Sequence, residues 1–209
     1  MDTYGKVLIL SGSPHEHGTT RRAIDEVAGA LETQGIETKI YTLGKYDTKG
    51  CIACGYCRRE GKCVTDDIVN ELAEEMRGAD GVILASPVYY AAPNGAYLAI
   101  LNRLFYSTGY DKSMKLGASI VAARRGGCTA SFDVLNKYFT ISGMPVVSSY
   151  YWDQIHGKSY EEAGEDKEAL QTMQSLGENM AFLIKAIKDA KVKYPVPERP
   201  KKIYTNFIR

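Results

Sequence analysis

The stretch Val7-Leu8-Ile9-Leu10-Ser11-Gly12-Ser13-Pro14-His15-Glu16-His17-Gly18-Thr19-Thr20 decides the fold. A short apolar run that stops at Ser-Gly-Ser-Pro reads as a strand buried in a parallel sheet and followed by a loop. After Gly18 apolar residues return at spacings of three and four, at Ala23, Ile24, Val27, Ala28 and Leu31. That period predicts a helix, and Gly35 stops it.

The same unit recurs outward along the chain. Positions 38–43, rich in β-branched and aromatic residues, predict a second strand. An irregular cysteine-bearing loop follows. Positions 66–77 predict a helix with Asp66 and Asp67 at its positive end. Positions 81–86 predict a third strand, 94–106 a helix with Leu98, Leu101 and Phe105 near one face, and 116–123 a fourth strand. Positions 131–140 predict a helix, 145–150 a fifth strand and 161–191 a long, largely helical region. Alternating strands and helices predict an α/β fold: a parallel sheet covered on both faces, joined by right-handed crossovers. Five strands fit the order 2-1-3-4-5, whose ligand crevice lies at the carboxyl ends of the strands. The loops after strands one, three and four would meet there. The whole chain, 1–209, reads as one domain, with 151–209 a helical and extended C-terminal extension.

Composition narrows the function. The 209 residues suffice for a sizeable core. Lys plus Arg (26) balances Asp plus Glu (25), and a net charge of +1 gives no reason to expect nucleic acid as a partner. No segment approaches a membrane-spanning length, and no basic region with an apolar run opens the chain, so a cytoplasmic location is expected. Four of the five cysteines fall between positions 51 and 63. In a reducing compartment such a cluster reads as metal-binding or redox-active before it reads as disulfides.

Three loops carry chemistry. The first sets hydroxyls and free backbone N–H groups at a helix start, which suits a phosphate. It lacks the lysine of a triphosphate loop and the Gly-x-Gly-x-x-Gly of a dinucleotide loop, so a monophosphate fits best. An ordinary turn with hydroxyl helix caps fits equally well. The second, Ser86-Pro87-Val88-Tyr89-Tyr90-Ala91-Ala92-Pro93, pairs rigid backbone with two tyrosines able to lie beside a flat ring; amphipathic core or interface tyrosines are the plainer reading. The third, Arg124-Arg125-Gly126-Gly127-Cys128, combines backbone N–H groups freed by glycine with two guanidinium groups, or is a surface turn beside a small buried cysteine.

In combination these pieces resemble the NADPH-dependent FMN reductase family, and more closely its flavodoxin-like branch related to iron-sulfur flavoproteins. The resemblance rests on Gly12-Ser13-Pro14 with Gly18-Thr19-Thr20, the cysteine segment, Ser86 to Tyr90, Arg124 to Gly127, the stretch 143–157 and the ending Thr205-Asn206-Phe207-Ile208-Arg209. It implies a flavodoxin-like three-layer sandwich that binds FMN. It maps phosphate contacts onto Ser11, Ser13, Gly18, Thr19 and Thr20, and ring contacts onto Pro87, Val88, Tyr89 and Tyr90. Arg124, Gly126 and Gly127 become further ring-side contacts. His15 and His17 depart from the usual basic residue and asparagine, and His17 would bond the phosphate with a charge that depends on pH.

The cysteines run Cys51-x2-Cys54-x2-Cys57-x5-Cys63. Four thiolates on a tight glycine-containing loop suit a cubane [4Fe–4S] cluster, and the spacing resembles the compact motif of iron-sulfur flavoproteins. Structural zinc more often uses two separated pairs. Free thiols lining an interface or the flavin entrance remain the competing reading, with Lys49, Arg58, Arg59 and Lys62 lowering their pKa values.

The expected activity is ping-pong transfer of electrons from NAD(P)H or another donor through FMN to a quinone, free flavin, nitroaromatic or small carrier. No side chain need act as nucleophile or essential base. A pure electron carrier and a cofactor-free binding protein are the competing classes; near-neutral charge disfavours the first and the glycine-bearing loops the second. Tyr150, Tyr151 and Trp152, the stripe of Leu176, Met180, Leu183, Ile184 and Ile187, and the apolar tail at Ile203, Tyr204, Phe207 and Ile208 predict a homodimer or homotetramer in which part of the extension crosses to a neighbour; an extension folded back over its own sheet is the plainer reading.

Overall fold

The computed structural model describes residues 3–200, 203 and 205. Strand β1 (Gly5–Ser11) is followed by α1 (Thr19–Thr33), β2 (Ile36–Thr42), a short α2 (Tyr56–Glu60), α3 (Ile68–Gly78) and β3 (Gly81–Tyr89). Then come β4 (Ala92–Pro93), α4 (Gly95–Ser107), β5 (Leu116–Ala123), α5 (Cys128–Ser142), β6 (Gln154–His156), α6 (Tyr160–Ala163) and α7 (Lys167–Lys193). The main strands lie in the order β2-β1-β3-β5-β6, all parallel, and β4 only folds back on the end of β3. Counting main strands alone, this is the expected 2-1-3-4-5 order.

The continuous apolar runs are explained by the two cores they feed. In β1, Val7 and Ile9 enter one core with α1 and α7, while Leu8 and Leu10 enter the other with α3, α4 and α5. In β3, Ile83 and Ala85 divide from Val82 and Leu84 in the same way. A central strand wet on neither face cannot alternate polar with apolar.

One expectation needs correction. The fifth strand is not 145–150. That segment touches the sheet only where Gly117 N–H donates to Pro145 O (2.9 Å) and Val147 N–H to Gly117 O (2.8 Å). The chain then leaves the edge, exposing Tyr150, Tyr151 and Trp152, and returns as β6 alongside Val121–Ala123. Asp153 closes the excursion: its carbonyl accepts from Val121 N–H (3.0 Å) and its buried carboxyl accepts from Ser149 Oγ (2.5 Å). The largely helical region expected at 161–191 is present as α6 and α7. It breaks between α6 and α7, where Asp166 caps α7 by accepting from Ala169 N–H (3.1 Å).

The apolar stripe of the extension covers this chain's own sheet. Leu176, Met180 and Ile184 are buried in the α1 side of the core, and Leu183 and Ile187 pack against it. Gly177 lies so close to α1 that a Cβ there would stand 2.6 Å from the Ala30 methyl carbon. Residues 194–200 leave this helix and are exposed; Lys201, Lys202, Tyr204, Asn206, Phe207, Ile208 and Arg209 lie outside the described residues. Among the described residues no helix is long and apolar enough to cross a membrane.

Two predictions follow from the β5 edge. A Cβ on Gly117 would meet the ring of buried Phe139 at 2.4 Å. Gly117→Ala is therefore expected to destabilise the apoprotein by about 1–3 kcal/mol through overpacking, read from the urea midpoint. Burial pushes the Asp153 carboxyl up to about 7, opposed by its Ser149 hydrogen bond. The folded state then holds this proton more tightly than the unfolded chain, so its contribution to stability falls as pH rises from about 4 to about 7. Asp153→Asn should remove that fall, and urea midpoints at pH 5 and pH 8 should lie closer together than in the unmodified protein.

Candidate functional site

The strand order reverses between β1 and β3, so the loop after β1 turns to the α1 face and the loop after β3 to the α4 face. The edges of the parted loops are pinned. Gly12 N–H donates to Ala85 O (2.7 Å), Asn94 Nδ2 donates to Gly12 O (2.9 Å), and the buried Tyr97 hydroxyl donates to Leu10 O (2.8 Å). Gly12 is required here, since a Cβ would enter the Tyr97 ring at 2.5 Å.

An open cavity of about 420 Å³ lies between these loops. Of the residues expected at the site, Ser13, His17, Gly18, Thr19, Thr20, Pro87, Val88, Tyr89 and Arg124 border it. Helix α1 starts at its wall with Gly18 in an extended conformation at the N-cap and no capping side chain. The N–H groups of its first turn therefore keep their donor capacity, whereas α3, α4, α6 and α7 are capped by Asp67, Asn94, Ser159 and Asp166. Such an end attracts an anion.

Four expected residues stand back from the cavity. Ser11 is buried, and its Oγ accepts from Ser13 N–H (3.4 Å), so it shapes the loop from behind. Tyr90 is fully exposed at the tip of the β3–β4 hairpin. Tyr90 and Ala91 both take positive φ, 52° and 57°, as a two-residue hairpin turn of this hand requires. Neither is glycine, which stores strain at the cavity rim. Gly126 is exposed. Gly127, with φ +95°, is the N-cap of α5 and presses on that hairpin: a Cβ would meet Ala91 Cα and Val88 Cγ1, both at 2.9 Å. Gly127 holds the second loop in place through packing.

Sequence reasoning missed the fourth wall, Gly157, Lys158 and Ser159. Thr19 Oγ1 holds it, within reach of Gly157 O (3.1 Å) and Ser159 O (3.3 Å). Gly157, at φ +155°, was the available signal, and the misplaced fifth strand hid it. His17 leans against this wall: its ring stacks on Tyr160 (centroids 4.0 Å apart) and Nε2 lies 3.3 Å from Glu161 Oε1. Below it, Cys128 Sγ is 3.9 Å from His156 Nε2, and burial pushes the thiol pKa up, so this cysteine is not an activated nucleophile.

A separate cavity of about 30 Å³ is bordered by Cys51, Cys54, Cys57 and Cys63 together, with Arg103 beneath them. Among the described residues no three His, Cys, Asp or Glu side chains converge tightly enough for a single metal ion. Another cavity, of about 260 Å³, lies at the opposite ends of the strands. Two of its cations are already held, Lys115 by Ala79 O and Lys188 by Asp80 (2.8 Å).

Comparison with known proteins shows the family and the fold. The model of the NADPH-dependent FMN reductase family matches residues 5–157. An iron-sulfur flavoprotein of Methanocaldococcus jannaschii is 32% identical over 191 residues, covering 88% of this chain and 99% of its own. Among solved structures, RosB with bound 8-demethyl-8-formylriboflavin-5'-phosphate superposes with a TM-score of 0.67 at 17% identity, over 98% of this chain and 94% of its own. A flavodoxin from the domain Archaea superposes with a TM-score of 0.59 at 15% identity, over 86% of this chain and 99% of its own. With a matching family model over most of its length and a near-full-length relative of this kind, the chain belongs to the NADPH-dependent FMN reductase family, with the flavodoxin-like fold and the iron-sulfur flavoproteins as its relatives.

Proposed function

We propose that the chain is an FMN-dependent oxidoreductase that takes electrons from NAD(P)H or another reduced donor and passes them to a quinone, flavin, nitroaromatic or small carrier. The observation that carries this reading is the cavity where the uncapped start of α1 faces the β3 end and Arg124. Bound there, FMN supplies a ring that accepts a hydride and returns two electrons together or singly.

The chain's own part is to bind and orient. The α1 N–H groups, the Thr20 hydroxyl and His17 offer donors to a phosphate, with Lys158 adding positive charge; the Ser13 and Thr19 hydroxyls donate to His15 O and to the carbonyls of Gly157 and Ser159, and join only by turning from these acceptors. Pro87, Val88 and Tyr89 offer a rigid, mostly apolar wall to a flat ring, and Arg124 favours negative charge on it. Ser11 and Gly127 act by shaping these walls, while Gly126 and Tyr90 are exposed away from the cavity. His15, His17 and His156 need no acid–base role.

The cysteine segment supports a second, linked reading, in which Cys51, Cys54, Cys57 and Cys63 hold a [4Fe–4S] cluster. All four residues border one cavity. In a cubane each thiolate binds a different iron, so four cysteines bordering one cavity fit this donor set. Such a cluster supplies one-electron steps. The relative's name, iron-sulfur flavoprotein, supports the same reading.

A homodimer or homotetramer is part of the proposal. Tyr150, Tyr151, Trp152, Tyr194 and Val196 leave apolar surface exposed along one chain.

Thr19→Val with Thr20→Val should weaken FMN binding at least about ten-fold, through loss of hydroxyl donors to a charged group. Quenching of FMN fluorescence on titration reads this, and unchanged affinity would reject the phosphate assignment. Anaerobic mixing of FMN-loaded protein with NADPH or NADH should bleach the flavin absorbance within the turnover time; bleaching only by other reductants would point to the carrier role. Sedimentation should show an oligomer for the full chain and a smaller species for a chain ending at Lys193. A monomeric full chain, or an unchanged oligomer on truncation, would reject tail exchange.

A further inference from the structure

Arg103 lies on α4 with only 2% of its side chain exposed. A guanidinium that deep needs partners for its five N–H donors. Asp67 takes two of them, Nη1 to Oδ2 at 2.6 Å and Nη2 to Oδ1 at 2.8 Å. Nη1 also reaches Thr48 Oγ1 (3.0 Å), and Nη2 reaches Thr65 O (3.3 Å). The remaining direction is toward sulfur: Nε and Nη2 both lie 3.3 Å from Cys63 Sγ.

Two features make this more than scaffolding. First, a neutral thiol is a weak acceptor, whereas a thiolate bound to iron is anionic and accepts strongly. A charged Nε–H aimed at the sulfur, with Nη2 shared between it, Asp67 and Thr65, matches the anionic form. Second, Cys63 is fixed on every side. Its N–H donates to Asn70 Oδ1 (3.0 Å) and its carbonyl accepts from Asn70 Nδ2 (3.2 Å). Cys51 and Cys54 are exposed, with no comparable hold among the described residues. Arg103 also joins the two ends of the cysteine segment, Thr48 before it and Thr65 with Asp67 after it.

The geometry points to Arg103 as the positioning residue of the cysteine centre: it anchors Cys63 as the fixed thiolate and sets a positive charge against its sulfur. This rests on the cluster reading above. Uptake of one electron adds one negative charge to a centre already made anionic by four thiolates. Donors and a positive charge at a ligating sulfur favour that added charge, and so raise the reduction potential. The Arg103 fork should also slow loss of iron, because the Cys63 ligand is already in place.

The test uses anaerobically purified full-length protein, with cluster rebuilt from ferrous iron and sulfide. The unmodified protein, Arg103→Lys and Arg103→Gln are compared for iron release to a chelator and for cluster potential by EPR-monitored titration. FMN uptake serves as the check of folding. The unmodified protein should hold about four irons per chain. Arg103→Gln should release iron at least about ten-fold faster and titrate at a more negative potential. Arg103→Lys keeps the charge and loses the fork, so its potential should return toward that of the unmodified protein while iron release stays fast. Native FMN uptake with native iron release and native potential in the variants would overturn the role of Arg103 alone. If Arg103→Gln takes up no FMN, Arg103→Lys decides by the same two readouts. Unmodified protein that takes up no iron would overturn the cluster reading and this inference with it.

Discussion

The pinning of Gly12 between strand β3 and the start of helix α4 governs the rest of the molecule. A parallel sheet whose order reverses at β1 and β3 must send successive loops to opposite faces, which opens a crevice. The crevice keeps its shape because the first loop cannot drift. Its backbone donates to Ala85, accepts from Asn94 and lies flat on the Tyr97 ring. Asn94 is also the N-cap of α4, accepting from Ala96 N–H (2.9 Å). One side chain thus fixes the start of a helix and the first loop together.

Helix α4 then connects two chemistries. Its start belongs to the crevice and Arg103, further along, lies under the cysteines. At 1.5 Å per residue the nine-residue span from Asn94 to Arg103 is about 14 Å. A packed helix holds that span rigidly, with Ile100, Leu101 and Leu104 fully buried. The two sites are therefore set relative to one another by a buried helix, although Cys51 and Cys54 themselves are exposed.

The sequence made the three expected loops legible because each comes straight after a run of apolar residues and is marked by glycine, proline or hydroxyls. Loop position follows from such punctuation. Which residue of a loop faces inward does not, because that depends on packing across the sheet. Ser11 and Gly127 illustrate the difference: both belong to the right loops, yet one is turned into the core and the other presses against a hairpin distant in sequence. The fifth strand failed for a related reason. Val146, Val147, Tyr150 and Tyr151 have strand-forming side chains, but the bond between Ser149 and buried Asp153 turns the chain away and re-enters it later. A buried carboxyl is rare enough that no local pattern signals it. The extension's apolar stripe was plain at the sequence level, and only the close approach of Gly177 to α1 identifies what it covers.

That last contact has a consequence in time. One face of the sheet is sealed by α7, which lies near the end of the chain and packs on α1, near its beginning. During synthesis the first helix and the central strands emerge well before their cover. Val27, Leu31, Ile83 and Ile120 would then sit beneath an open roof until residues 173–184 leave the ribosome. Contacts so distant in sequence form slowly, and an apolar sheet face exposed meanwhile is prone to associate with other chains. That face of the core is complete only once α7 has docked.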